Sequence, residues 1–388
     1  MRSVRLTAAV TLLAALGGCK LSVPEEPKPL AEVAPVVLFT GYHWKTLVGC
    51  PGSLGNIDGK GAEALFNRPT GIALDRHKNL TVSDNFSHVV RTVAADGTVK
   101  TLAGKAGTQG FADGKGAAAL FSGPAGLACD ACGAVFVADA GNHTIRKISP
   151  DGNVTTLAGA GGMAGSAGGV GSQSRFSSPS DVAIDGDGNL FVADRGNHLI
   201  RRVTVKGEVT TLAGGAGTAG SDDGFGEWAR FYNPSGVAVD SAGYVFVADT
   251  GNHTIRKIAP GGEVTTLAGK AGAAGSVDGK GAAARFNGPA ALWLDADNNL
   301  LVADRDNHMI RKITPSGVVT TLGGMPNCMS CADGFGKEAL FAQPSGITSG
   351  DDGILYVADA CNNRVAIGLP GSEAAVFDGE AAKPSASD

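Results

Sequence analysis

Thr101-Leu102-Ala103-Gly104 is repeated letter for letter at Thr156, Thr211 and Thr266, with TLVG at Thr46 and TLGG at Thr321, so that every step is 55 residues. The same register carries Phe66, Phe121, Phe176, Phe231, Phe286 and Phe341, with a proline three residues after each. It also carries Asp84, Asp139, Asp194, Asp249, Asp304 and Asp359, which end a run that usually reads Val-Ala-Asp. Six units of this period, each holding several short β-prone runs, are the signature of propeller blades.

One unit shows how the blade is made. Gly236-Val237-Ala238-Val239 is an apolar run that ends at the turn Asp240-Ser241-Ala242-Gly243, and the run from Tyr244 to Ala248 is strongly β-prone. A loop, Asp249-Thr250-Gly251-Asn252, leads to His253-Thr254-Ile255-Arg256-Lys257-Ile258, which alternates apolar and polar and reads as half-buried. Gly261-Gly262 then turns the chain into Val264-Thr265-Thr266-Leu267, the outermost strand. The expected fold is therefore all-β: one six-bladed propeller with four antiparallel strands per blade, spanning 42–370. Trp44-Lys45-Thr46-Leu47 matches the outer strands and precedes a full inter-blade loop, so strand 44–48 is expected to close blade six; a weaker candidate is Ala375-Val376-Phe377, in the tail 371–388.

Composition agrees with this reading. The 59 glycines among 388 residues are about twice the usual share and follow no Gly-X-Y period, which excludes collagen and argues against a helical protein. Six Gly-rich inter-blade loops of about 17 residues, each ending near the repeated Phe, account for most of them. Hydrophobic residues at 43% and charged residues at 18% supply a core and exclude long disorder. The net charge of −5 disfavours nucleic acid as a partner.

The order D-G-x-G, A-x-F, P-x-G-I-A-x-D, G-N-L-F-V-A-D, G-N-H-x-I-R-K-I, G-x-V-T-T-L-A-G resembles bacterial NHL repeats and the related repeats of teneurin-like surface proteins, from residue 44 to about 369. The resemblance implies a TolB-like six-bladed ring and says little of function. Arg2 and Arg5, the apolar stretch 6–16 and Leu16-Gly17-Gly18-Cys19 form a secretory signal (1–18) too short to span a bilayer. Its end resembles the lipobox of bacterial lipoproteins, which implies lipidation at Cys19 and membrane contact only through that lipid. Without Arg2 and Arg5 the charge is −7. Pro24, Pro27, Pro29 and Pro35 make the rest of 19–41 an extended tether. Lys20 is not the aspartate that retains many lipoproteins at the inner membrane, so the outer membrane of the envelope is the expected location.

A residue present six times at one position is usually architecture. His88, His143, His198, His253 and His308 open third strands, with Asn363 in the sixth unit; neighbouring blades hold them too far apart for one metal ion. Structural hydrogen bonding is expected of them, and capping of the Gly-Asn turn by the Val-Ala-Asp aspartates. Asp58, Asp113, Asp223, Asp278 and Asp333 of D-G-x-G lack the further oxygens of a calcium loop and are expected to cap the turn before the Phe; Gly168 stands in their place in unit three. No G-K-[ST] follows the glycines, so no phosphate loop is present. Arg91, Arg146, Arg201, Arg256 and Arg311 pair, on this reading, with Asp75, Asp130, Asp185, Asp240 and Asp295; in unit six Ala366 and Gly350 replace both. No cofactor is expected.

Departures from the repeat are where function would show. Cys129-x-x-Cys132 and Cys328-x-x-Cys331 fall on opposite faces of the disc and cannot share one zinc ion. In an exported protein these cysteines are expected to form disulfides, with Cys50, Cys328, Cys331 and Cys361 stapling the seam in one of three pairings. Phe225, Trp228 and Tyr232 in the loop entering blade four, Trp293 on an inner strand and Asp181 in place of a glycine are the candidate ligand contacts, read as an aromatic platform and a channel-mouth carboxylate. Two classes follow. One is a monomeric, non-enzymatic scaffold binding a protein, peptide or glycan on the loop-rich face. The other, implied by similar propellers that are lactonases or a metal-dependent lyase, uses the channel; the unrepeated His43 and His77 are poorly placed for it.

Overall fold

The structure is a computed structural model that describes residues 36–376. Six five-stranded antiparallel sheets follow one another around a ring. In blade one the inner strand is Pro69–Leu74, followed outward by Leu80–Asp84, Val89–Val93 and Thr98–Ala103. A two-residue strand, Gly59–Lys60, pairs outside Thr98–Ala103 and makes the fifth, so each blade has one strand more than the four expected. Its brevity hid it: two residues carry no alternation. The helices among the described residues are all single 3₁₀ turns of three residues.

Blade six is closed by the N-terminal strand, Val36–Gly49, which lies between the short strand Gly334–Phe335 and the third strand, Arg364–Val376. Trp44 seals the join: it is 2% exposed, donates Nε1–H to Leu322 O at 3.2 Å and meets Phe341 edge-on at 5.1 Å. The chain that follows the third strand of blade six prolongs it rather than adding a fourth.

The core lies between blades. Phe66, Phe121, Phe176, Phe231, Phe286 and Phe341 are fully buried against the strands of their own and adjoining blades. The last glycine of each T-L-x-G is fixed by backbone geometry. Gly159 has φ 92°, and a Cβ there would lie 2.6 Å from His143 O. Residues 1–35 and 377–388, with Cys19, the signal and most of the tether and tail, lie outside the described residues.

Candidate functional site

The repeated polar residues form one hydrogen-bonded ladder per blade. In blade two, Asp139 accepts the Ser122 N–H at 2.8 Å, the Asn142 amide at 2.7 Å and the Arg146 Nη1–H at 2.8 Å. Arg146 Nη2 donates to Ala112 O and to Asp113 Oδ1, at 2.7 and 2.8 Å. Asp113 in turn accepts the N–H and hydroxyl of Thr156 at 3.1 and 2.9 Å. The inter-blade loop, second strand, third strand and outer strand are thereby tied through one buried guanidinium, which also lies over the Phe121 ring at 5.1 Å.

Three expectations need correction here. The arginine partners are the Val-Ala-Asp and D-G-x-G aspartates, not Asp75, Asp130, Asp185, Asp240 and Asp295. Asp240 instead accepts the N–H groups of Ala242 and Tyr244 and holds its own turn. The Val-Ala-Asp carboxylates reach back 17 residues to the backbone after the Phe, and only the Asn side chain of the Gly-Asn turn reaches them. The D-G-x-G aspartates hold the outer strand rather than the turn before the Phe. Unit six keeps the arrangement by another route: Arg364, two residues before Ala366, bonds Asp359 at 2.8 Å and Asp333 at 2.9 Å.

Burial pushes the carboxyls of Asp84, Asp194, Asp249 and Asp304 up to about 6 and raises those of Asp139 and Asp359, against the pull of their donors. Each repeated histidine sits in the left-handed region, at φ 58–60°, and its Nδ1 accepts a backbone N–H from the next blade, as His143 does from Ser178 at 3.0 Å. His88, His198, His253 and His308 do the same toward Gly123, Asn233, Gly288 and Gln343, and Asn363 Oδ1 does so toward Arg68. Burial lowers the pKa of His88, His143, His198 and His308, keeping that nitrogen an acceptor.

The residues that break the repeat gather elsewhere. A central cavity of about 300 Å³ is walled by the inner strands and includes Asp181, Arg195, Trp293 and Arg305. Asp181 accepts the Val182 and Val237 N–H groups at 2.9 and 3.0 Å, and burial pushes its carboxyl up to about 7. Trp293 donates to Ser349 Oγ across to the next blade at 3.0 Å. Arg195 and Arg305 open the loops after the second strands of blades three and five; desolvation and the charge of Arg305 lower the Arg195 pKa. Arg305 is forked onto Asp306 at 2.8 and 3.0 Å, whereas Arg195 has no carboxylate partner among the described residues. The two arginines escaped the reading of the sequence, although their position, otherwise Asn85, Ala140, Thr250 and Ala360, is visibly unrepeated.

Phe225, Trp228 and Tyr232 do not stack on one another. Phe225 lies against Gly262, Trp228 stands 72% exposed, and Tyr232 meets His198 edge-on at 5.9 Å. His43 packs on Phe335 and His77 takes a hydrogen bond from Arg76 in its turn.

The cysteines Cys50, Cys129, Cys132, Cys328, Cys331 and Cys361 are free, which corrects the expected disulfides. Cys129 ends an inner strand against Thr81, while Cys132 is exposed in the adjoining turn that Asp130 pins. Cys361 bonds Gln343 and Cys50 takes the Ser53 hydroxyl.

Comparison with known proteins agrees with the architecture. The NHL repeat family model matches residues 176–202, 231–258 and 341–367. NHL repeat-containing protein 2 of Bos taurus is 30% identical over 335 residues, covering 77% of this chain and 46% of that protein. The Arabidopsis thaliana protein SUPPRESSOR OF QUENCHING 1, chloroplastic, is 33% identical over 283 residues, covering 69% of this chain and 27% of its own length. The chain thus spans less than half of either relative. A structural genomics protein of unknown function from Bacteroides thetaiotaomicron superposes with a TM-score of 0.67 at 22% identity, over 86% of this chain and 77% of that one. The chain is a six-bladed β-propeller built on NHL repeats.

Proposed function

We propose that the protein is a non-enzymatic binding scaffold that engages a protein, peptide or glycan at the mouth of its central channel, on the face that carries the inter-blade loops. One observation carries the reading: the repeated charged groups are spent on one another within the blades, while Arg195, Arg305, Asp181 and Trp293 break the repeat and line one cavity. Symmetric residues build the ring; asymmetric ones are free to select a ligand. The scaffold is held at the bacterial cell envelope by a lipid on Cys19, which the signal-like stretch before it supports.

Immobilised protein exposed to envelope extract tests the binding reading. Retention that falls in Arg195→Gln and in Arg305→Gln, with melting temperature unchanged, supports it. A stoichiometric transition metal in the purified protein, with hydrolytic turnover, overturns it in favour of a channel enzyme. Fatty-acid labelling that is lost in Cys19→Ala tests the anchor.

A further inference from the structure

The five D-G-x-G aspartates share one set of donors. In blades one, two, four and five the carboxylate takes the N–H of the T-L-x-G threonine at 2.9–3.1 Å and its hydroxyl at 2.9–3.1 Å, beside a guanidinium at 2.6–2.8 Å. Blade six repeats this with Asp333, Thr46 and Arg364. Blade three has the donors without the acceptor, because Gly168 stands where the aspartate would be.

Two consequences are visible. Thr211 has no side-chain partner for its N–H or its hydroxyl, and it lines an open cleft shared with Ser166, Leu212, Gly214, Glu227, Trp228 and Arg230. Arg201 Nη2 keeps only the Ala167 carbonyl, at 3.2 Å, where its counterparts in blades one, two, four and five bond a carbonyl and a carboxylate together. Arg201 is fully buried and keeps no other acceptor for Nη2 among the described residues. It faces one carboxylate, Asp194 at 3.0 Å, instead of two, leaving blade three one unit more positive than its neighbours at this point.

We propose that blade three binds a carboxylate from outside: accepted in the cleft by the Thr211 N–H and hydroxyl, drawn by the charge of the buried Arg201 behind them, with Trp228 at the rim. The ligand is a small organic acid or the Asp or Glu side chain of a peptide, which present the same group. This site lies away from the channel and stands independently of the function proposed for it.

Acetate and the peptide acetyl-Gly-Glu-Gly-amide, each titrated against chloride at constant ionic strength and pH 7.5, supply the probes, with Trp228 fluorescence and melting temperature as readouts. Wild-type protein is expected to show a saturable response to acetate. Thr211→Val weakens it about tenfold, the loss of the one charge-assisted hydrogen bond from the hydroxyl, the backbone N–H being kept. Gly168→Asp abolishes it, since the blade then supplies its own carboxylate; a Cβ there would lie 2.9 Å from the backbone O of Val209, so the backbone must move to admit it. A peptide bound more tightly than acetate identifies a partner's side chain as the occupant, and equal affinity identifies a free acid. Acetate acting no differently from chloride, or acting equally on wild type, Thr211→Val and Gly168→Asp, overturns the proposal.

Discussion

Removing the charge from Asp249 and Arg256, singly and together, probes the ladder where it is most deeply buried. Both side chains are inaccessible to solvent and their Oδ2 and Nη1 atoms are 2.9 Å apart. Asp249 also accepts from Asn252 and from the Tyr232 N–H, at 2.7 and 2.8 Å. Arg256→Gln leaves the buried Asp249 carboxylate with neutral donors only, at a cost of about 3–5 kcal/mol, whereas Asp249→Asn leaves Arg256 its second carboxylate, Asp223 at 2.7 Å, and costs about 2–3 kcal/mol. The double variant strands neither, so its loss should fall short of the sum by about 2–3 kcal/mol. Asp240→Asn with Arg256→Gln is the control: Asp240 holds only its own turn, and the two effects should add within about 0.5 kcal/mol. Urea unfolding followed by circular dichroism and tryptophan fluorescence reads all of these. Additivity for Asp249 and Arg256, or strong coupling for Asp240 and Arg256, would show that the ladder has been wrongly assigned.

Other expectations are simpler to test. Burial lifts the Asp181 carboxyl from 3.8 to about 7, so the folded state holds its proton more tightly than the unfolded chain and this group's stabilisation is lost as pH rises from about 4 to about 7. The melting temperature of Asp181→Asn relative to wild type should therefore climb across that window and level off above it; a flat difference refutes the assignment. His143→Asn should be nearly neutral, because Asn363 already fills the same left-handed, inter-blade role in blade six, whereas His143→Val loses the bond and forces a β-branched residue to positive φ, at a cost of about 2–3 kcal/mol in denaturant unfolding. Trp44→Ala should cost about 3–5 kcal/mol, and deletion through Val48 should abolish cooperative melting; a sharp transition in the deletion would mean the ring closes another way.

How much of this was legible in the sequence depends on the distance over which a signal acts. The 55-residue register displayed six blades and the closing strand because Trp44-Lys45-Thr46-Leu47 falls in phase with the other outer strands. Strand order followed from local alternation. The ladder was misassigned because its partners are 33 and 43 residues apart, from Asp113 to Arg146 and to Thr156, and co-occurrence in the repeat cannot say which aspartate an arginine meets. The loss of Ala366 and Gly350 together looked like a broken pair, yet Arg364 delivers its guanidinium to the same carboxylates from two residues earlier. Arg195 and Arg305 are silent in the sequence because a loop arginine carries no local sign of which way it faces; only the closed ring brings the two to one cavity. Asp181 stands out in the sequence because a carboxylate in place of a glycine is conspicuous at a point where neighbouring inner strands nearly touch.

Closure by the N-terminal strand also has a mechanical side. The strand Val36–Gly49 brings the chain into blade six, and Arg364–Val376 leads it out of that same sheet. Tension between the two ends of the ring is therefore borne by one pair of adjacent strands and their flanking contacts, Trp44 among them, while the other five blades stay slack. A pull would part the seam before any blade unravelled, turning a closed disc into an open arc as the first event. Under the N-terminal anchor proposed above, blade six would act as a clasp, and the strength of the ring under load would be the strength of that one sheet.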